Sequence, residues 1–308
     1  MIAPCTTANL GPGFDVFALA LDAFQDTIRV QISFEAGVKL EITGLDSESV
    51  PVAPNLNSAG LVAQHMLRRH GEAVGVNIRI EKGVPVGKGL GSSSASAAAT
   101  AVGLNHLLGL GLTENEIVET AAQGEIASAG VAHADNVAAA VLGGFTLVQS
   151  YSPFSVVRLR PPSGFEIAIA IPDIPTPSNK TERARAVLPD RVPLGKVAHN
   201  VGGAASIVAG ILSEDIELIG KGMVDAIIEP ARATLVPGYA QVKQAALAAG
   251  AEGVAISGAG PSVIAIVDNA RVSAASVADA MRTALESSGV QCRALVAKAA
   301  GGATVLEE

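Results

Sequence analysis

Residues 83–91 read Gly-Val-Pro-Val-Gly-Lys-Gly-Leu-Gly, and Ser92, Ser93 and Ser94 follow directly, opening a run of small residues to about Leu108. So much glycine and proline excludes regular structure up to Gly91, and the small residues after it predict a helix that starts at Ser92. A glycine loop feeding a helix has two readings. It is a flexible connection capped by serines, or it is an anion cradle. In a cradle, glycine lets successive N–H groups converge without Cβ clashes, and the first helical turn offers partial positive charge. A serine hydroxyl at such a place also suits Mg²⁺, which prefers oxygen ligands. Two familiar phosphate loops fail on spacing. Gly83 and Gly87 enclose three residues rather than four and Lys88 precedes glycine, while Gly87, Gly89 and Gly91 give G-x-G-x-G rather than G-x-G-x-x-G.

The chain has 308 residues, nearly half of them apolar, enough for one large domain or two ordinary ones with a substantial core. Its 29 acidic and 21 basic residues leave a net charge of −8, the wrong sign for a nucleic-acid surface. The lack of Trp and the few aromatic residues also remove the stacking platform that single-stranded nucleic acid needs. Cys5 and Cys292 form no Cys-x-x-Cys pair, so neither a disulfide framework nor a zinc ribbon is expected, and a reducing, cytoplasmic setting fits best. Pro4, Asn9, Gly11, Pro12 and Gly13 break any signal-peptide pattern. No apolar run approaches the ~18 residues of a membrane span, so a soluble protein is expected.

Alternation of Ile28, Val30, Ile32 and Phe34, repeated by Val38, Leu40 and Ile42 after Gly37, predicts a β-hairpin. A helix over Asn57–His70, a strand at Val76–Ile80 and the loop–helix unit follow. Thr113 with Glu116 forms a capping box that starts another helix, expected to run to about Gly130. A strand follows Gly143 and Gly144, and the turn-rich Ser150–Pro153 marks the expected boundary between domains at 1–152 and 153–308. The second half predicts a strand at Phe165–Ile171 and helices at Thr181–Leu188, Val192–Leu212, Ile216–Ile228 and Gly238–Ala249. Strands at Gly253–Ser257 and Ser262–Val267, a helix at Val272–Ser287 and a strand at Cys292–Val296 complete an α+β layout.

Three segments together resemble the GHMP kinases: Pro4-Cys-Thr-Thr-Ala-Asn-Leu-Gly-Pro-Gly-Phe-Asp-Val-Phe17, Pro85-Val-Gly-Lys-Gly-Leu-Gly-Ser-Ser-Ser-Ala95 and Ser257-Gly-Ala-Gly-Pro-Ser262. The resemblance spans essentially the whole chain in the right order. It implies a two-domain α+β fold, with an amino-terminal domain like the second domain of ribosomal protein S5, a ferredoxin-like carboxy-terminal domain and a site between them. The first motif and His133-Ala-Asp-Asn-Val137 look most like the homoserine kinases, which use Mg-ATP to phosphorylate the side-chain hydroxyl of L-homoserine on the way to threonine.

By motif, the resemblance implies ATP contacts from Asn57 to adenine and from Pro85, Val86, Gly87, Lys88, Gly89, Leu90, Gly91, Ser92, Ser93, Ser94 and Ala95 to the phosphates. Ser93 and Glu125 would place Mg²⁺. Asn9, Asp15, His133, Asn136, Arg185, Arg232, Gly258 and Gly260 would surround the acceptor. An amino acid suits such a set, because one carboxylate pairs with its ammonium and arginine forks pair with its carboxylate. Lys88 is expected to neutralise phosphate charge. Either Asp135 or Asn136 occupies the place of a side-chain base, and with Asn136 there the proton passes to the γ-phosphate instead. Taken singly, these residues also have plainer readings: Asn9 and Asp15 as turn residues, Glu125 and the arginines as surface charges, His133 as a structural hydrogen-bonder.

Other small hydroxy acids or alcohols, such as shikimate, pantoate or mevalonate, stay open as acceptors, and so does a non-catalytic nucleotide or metabolite sensor. Retention of Ser93, Glu125 and Lys88 favours turnover over sensing. An alanine-rich, weakly charged surface is compatible with a homodimer.

Overall fold

The computed structural model describes all residues except 70, 72, 73, 131, 178, 179, 307 and 308. The first motif itself forms strand β1 (Ile2–Asn9) and turns back into the long β2 (Gly13–Ser33). The anticipated hairpin does not form. β3 (Val38–Gly44) pairs parallel to β4 (Gly75–Lys82), and β4 lies between β3 and β2. Alternation marks a half-buried strand but not its neighbour. Here the backbone resolves it: Val76 N–H donates to the Gly37 carbonyl, and a Cβ on Gly75 would lie 1.7 Å from the Glu35 carbonyl oxygen, so β4 tucks under the turn that precedes β3.

Helix α1 (Ser58–Arg69) follows β3, its expected last residue His70 lying outside the described residues. After β4 comes α2 (Ser92–Leu107). Ala95, Ala97, Ala98, Ala99 and Ala101 of α2 are fully buried, because the helix runs through the centre of the domain. Small side chains let α1, α3 (Glu114–Ala122) and the strands approach it closely. The Thr113–Glu116 capping box forms as the sequence predicts. The helix it opens does not continue to Gly130. Gln123–Glu125 tighten into a 3₁₀ turn, then α4 (Ile126–Ala129) ends at Gly130 in the left-handed conformation. At the break a Cβ on Gly124 would lie 2.8 Å from the Ser58 carbonyl oxygen, so close packing on α1 goes with the tightened turn.

Helix α5 (Asp135–Leu142) leads to β5 (Phe145–Tyr151) and β6 (Phe154–Leu159). Ser150–Pro153 is thus the turn of a β5–β6 hairpin, and the chain leaves the first sheet only after β6. That sheet has the order β3-β4-β2-β5-β6, with β1 added on β2.

The second sheet starts at β7 (Phe165–Pro172). Four helices follow: α6 (Lys180–Ala186), α7 (Leu194–Leu212), α8 (Ile216–Gly222) and α9 (Ile228–Arg232). The expected helix over Ile216–Ile228 divides because Asp225 caps a new one, its carboxylate accepting from the N–H groups of Ile227, Ile228 and Glu229. α10 (Tyr239–Ala248), β8 (Gly253–Ile256), β9 (Val263–Asp268), α11 (Ala274–Ser287) and β10 (Cys292–Lys298) complete an antiparallel sheet of order β10-β7-β9-β8.

Period-two alternation splits β7 between two cores. Ala168 and Ala170 face α10 and α11, whereas Ile167, Ile169 and Ile171 join Ile207 and Ile211 of α7 in the core continuous with the first domain. Beyond β10 the chain returns to the first sheet, where Thr304 bridges Ile2, Ala299 bridges Leu21 and Gly301 bridges Gly143. No helix among the described residues is long and apolar enough to cross a membrane.

Candidate active site

The three motifs converge through their backbones. Thr6 N–H donates to the Leu90 carbonyl, Gly258 N–H to the Ala8 carbonyl and Ser262 N–H to the Lys88 carbonyl. Glycine at 89 is obligatory: its φ is +80°, and a Cβ there would sit 2.4 Å from the Ser257 oxygen and 2.6 Å from the Gly260 oxygen. Gly91, also left-handed, leaves room for the Thr6 hydroxyl. That hydroxyl donates to Asn136 Oδ1 at 2.7 Å. With its oxygen so engaged, the Asn136 amide has its N–H₂ left to donate.

Between these motifs lies a cavity of about 510 Å³. The N-terminus of α2 opens on it, and no side chain caps that terminus. Ser92 is tied into the loop, its hydroxyl donating to the Val84 carbonyl. Ser93 and Ser94 instead donate to the two oxygens of Glu125, at 3.2 and 3.0 Å. The 3₁₀ turn that interrupts the α3–α4 run is the element that presents Glu125, which is buried rather than on the surface. Beneath the loop, Lys82 and Asp26 form a fully buried ion pair. Lys82 Nζ also donates to Ser92 O and Ser96 Oγ, and Asp26 accepts from the N–H groups of Gly83 and Val84. The pair clips the start of the loop to the start of the helix. Nothing in the sequence pattern singled it out.

On the acceptor side, Asp15 accepts from Arg185 Nη2 at 2.8 and 2.9 Å, and His133 Nδ1 lies 3.8 Å from the same carboxylate. Burial pulls the His133 imidazole down in pKa, opposed by Asp15, and its Nε2 is buried with no partner among the described residues. Arg232 donates to the carbonyls of Ala184 and Gly258, and Asn9 Nδ2 donates to that Gly258 carbonyl. Burial brings Arg232 down to about 10, still charged at neutral pH. Both guanidinium groups lie over the Phe14 ring, 5.3 and 5.0 Å from its centroid, so the two arginines share one face of the cavity. Asp135, at the start of α5, is pushed up to about 7, chiefly by burial and then by the Asp15 charge, while Asn136 N–H donates to it.

Most sequence-derived candidates line this cavity: Asn9, Asp15, Asn57, Val86, Gly87, Gly89, Gly91, Ser92, Ser93, Ser94, Glu125, His133, Asp135, Asn136, Arg185, Arg232 and Gly258. Pro85, Leu90 and Ala95 are buried behind the wall and shape the loop from below. Asn57 is foremost a helix cap, its Oδ1 accepting from Ala59 and Gly60 N–H and its Nδ2 donating to Pro51 O. Asp15 and Arg185, expected to hold opposite ends of the acceptor, hold each other.

Lys88 is a correction. It does not line the cavity, and its amine instead satisfies the carbonyls of Pro172 and Ile174 where the chain leaves β7. Gly260 likewise stays off the wall, and its carbonyl accepts from Lys180. Lys180, Thr176 and Thr181 line the cavity and escaped the sequence reading, because residues at and just before the start of a short charged helix look like ordinary surface. Ala259 also lines it, a small residue where the backbone must come close.

The sequence matches the family described as GHMP kinases N terminal domain over residues 57–144 and that described as GHMP kinases C terminal over residues 207–287. It is 42% identical to a homoserine kinase of Haloquadratum walsbyi over 98% of both chains. It is 44% identical to one of Thermoplasma acidophilum, over 86% of this chain and 83% of that one. The fold superposes on the crystal structure of homoserine kinase from Cytophaga hutchinsonii with a TM-score of 0.90 at 36% identity, covering 98% of this chain and 94% of the other. The chain belongs to the homoserine kinase family of the GHMP kinases.

Proposed function

We propose that the chain transfers the γ-phosphoryl group of ATP to the side-chain hydroxyl of L-homoserine. The observation that carries this reading is that one cavity joins an uncapped helix N-terminus with its Ser93–Glu125 pair to a zwitterion-shaped pocket. Asp15 and Arg185 present a carboxylate beside a guanidinium. An amino acid binds head to tail along such a pair, its ammonium on Asp15 and its carboxylate toward Arg185 and Arg232. Hydroxy acids such as mevalonate bring a carboxylate but no ammonium for Asp15, and sugars bring neither, which favours homoserine over both.

The residues also fit Mg²⁺. Among the described residues no three His, Cys, Asp or Glu side chains form a metal cage. A phosphate-bound Mg²⁺ does not need one, since it takes one or two carboxylates together with phosphate oxygens and water. Glu125 supplies the carboxylate, and Ser93, whose proton points to Glu125, keeps its lone pairs for the ion. When bound there, the ion would neutralise charge on the ATP phosphates.

The chain's own residues do the rest. The N–H groups of the α2 first turn hold phosphate oxygens. Val50, Pro51 and Leu56 offer an apolar wall for the base. The Asn136 amide, fixed by Thr6, orients the acceptor hydroxyl, and Asp135, with its pKa near neutrality, takes the proton as the new P–O bond forms.

The test is ADP release with Mg-ATP and L-homoserine, run beside shikimate, pantoate and mevalonate. We expect turnover with homoserine alone and, in Glu125→Ala, a loss of roughly 100-fold or more. Turnover only with another acceptor would retain the kinase chemistry and overturn the substrate.

A further inference from the structure

Lys180, the first residue of α6, is half-buried and carries its ammonium on the wall of the cavity. Among the described residues, the one hydrogen bond its amine makes is to the Gly260 carbonyl, at 2.7 Å. Among the described residues no carboxylate comes within ion-pair distance of it. The charged groups that act on it are cations, Arg232 of α9 and Lys88 of the loop. A desolvated cation among cations is held at a considerable cost unless an anion completes the site.

Its position shows which anion. The Gly260 carbonyl that anchors the amine is the one against which Gly89 packs, at 2.6 Å from where its Cβ would be, so the ammonium stands beside the phosphate loop. Thr176 of the same segment reinforces the point. Its Cγ2 abuts Gly87 of that loop, and its hydroxyl oxygen is buried with no hydrogen-bond partner among the described residues, on another stretch of the cavity wall. An ammonium has three donors and Gly260 takes one, which leaves two for phosphate oxygens.

We infer that Lys180, and not Lys88, is the lysine that binds the transferring phosphoryl group of ATP, standing beside the loop with Thr176. The inference rests on the kinase reading above. In the transfer, the bond from the γ-phosphorus to the ADP oxygen breaks and the bond to the homoserine oxygen forms. The hydroxyl proton goes to Asp135, and Lys180 neither gives nor takes a proton but holds charge on the moving group. Burial, and after it the Arg232 and Lys88 charges, draw its pKa down to about 8. The rate therefore falls above about pH 8 as the free enzyme's amine loses its charge.

The experiment compares the full-length wild type with Lys180→Met and Lys180→Arg. It measures calorimetric binding of ATP and of ADP, homoserine-dependent ADP release from pH 6 to 10, and thermal unfolding. We expect Lys180→Met to lose roughly 100-fold in kcat/KM and to bind ATP no better than ADP, with a melting temperature at or above that of the wild type. Lys180→Arg should shift the alkaline limb upward, because guanidinium stays charged. Weakened homoserine binding with intact ATP-over-ADP preference would overturn the inference in favour of the acceptor carboxylate. Unchanged kinetics with a lowered melting temperature would overturn it in favour of a structural tether. Should Lys180→Met not fold, an alkaline limb still near pH 8 in Lys180→Arg overturns it as well. The binding arm needs no acceptor, so a wild type silent with homoserine sinks the proposed function while leaving Lys180 testable.

Discussion

On the proposed mechanism, Asp135 couples the chemistry to stability with a definite sign. Its folded pKa is raised from 3.8 to about 7, so the folded protein disfavours the ionised carboxyl. The folded state binds the proton more tightly than the unfolded state between those values, and stability contributed below about pH 4 is lost as pH rises through 7. Asp135→Asn should therefore raise the melting temperature at pH 8 more than at pH 5. It should also remove the acid limb of the rate profile and slow turnover roughly 100-fold. An acid limb near pH 7 that survives the substitution would send the proton to the phosphate instead. At this scale residues inside a motif, such as Asp15, Ser93 and Asn136, do line one cavity. No motif marks Lys180, which lines the cavity, whereas Lys88 sits inside one and turns away from it. A lysine between loop glycines looks like a phosphate ligand, but carbonyls exposed at the end of β7 claim its amine, and that depends on a strand more than eighty residues away.

The phosphate loop keeps its shape because its first turn is fastened from beneath. Asp26 of β2 accepts from Gly83 and Val84, and Lys82 of β4 reaches Ser92 and Ser96 of α2, so two strands and a helix are joined by one buried pair. Lys82→Met leaves Asp26 buried and unpaired. Unfolding in urea should show a loss of about 3 kcal/mol, the lower end for a broken buried pair, since Asp26 keeps its backbone donors. A loss below about 1 kcal/mol would mean that the pair does not hold the loop. Elements with local signals were legible: the Thr113 capping box, the small-residue α2 and the alternating β4 are all where the sequence puts them. What failed was pairing and continuity. Alternation cannot show that β4 inserts between β2 and β3, and helical periodicity survives the tightened turn that presents Glu125.

The whole molecule is held by contacts between distant parts of the chain. After β10, residues 299–304 return to the first sheet. Ile2 and Thr304 exchange backbone hydrogen bonds, Ala300 N–H donates to Ala20 O, Gly144 N–H to Ala300 O and Ala303 N–H to Ala140 O. A chain ended at Lys298 loses all of these at roughly 0.5–1.5 kcal/mol each. Its urea midpoint should fall substantially, and an unchanged midpoint would show that the returning segment adds nothing. The two-domain α+β class was legible from the order of elements and the motifs, but this return was not, because a short segment without periodicity carries no pairing signal. The convergence of the motifs has a further consequence for biosynthesis. Thr7 and Ser257, whose hydroxyls lie 2.8 Å apart, are separated by 250 residues, so closing the site requires long-range loop closure rather than local collapse. On the ribosome the first sheet can assemble early, yet the third motif joins the glycine loop, through Ser262 N–H to the Lys88 carbonyl, only once residue 262 has emerged. A cavity walled by both ends of the chain is thereby completed only late in synthesis.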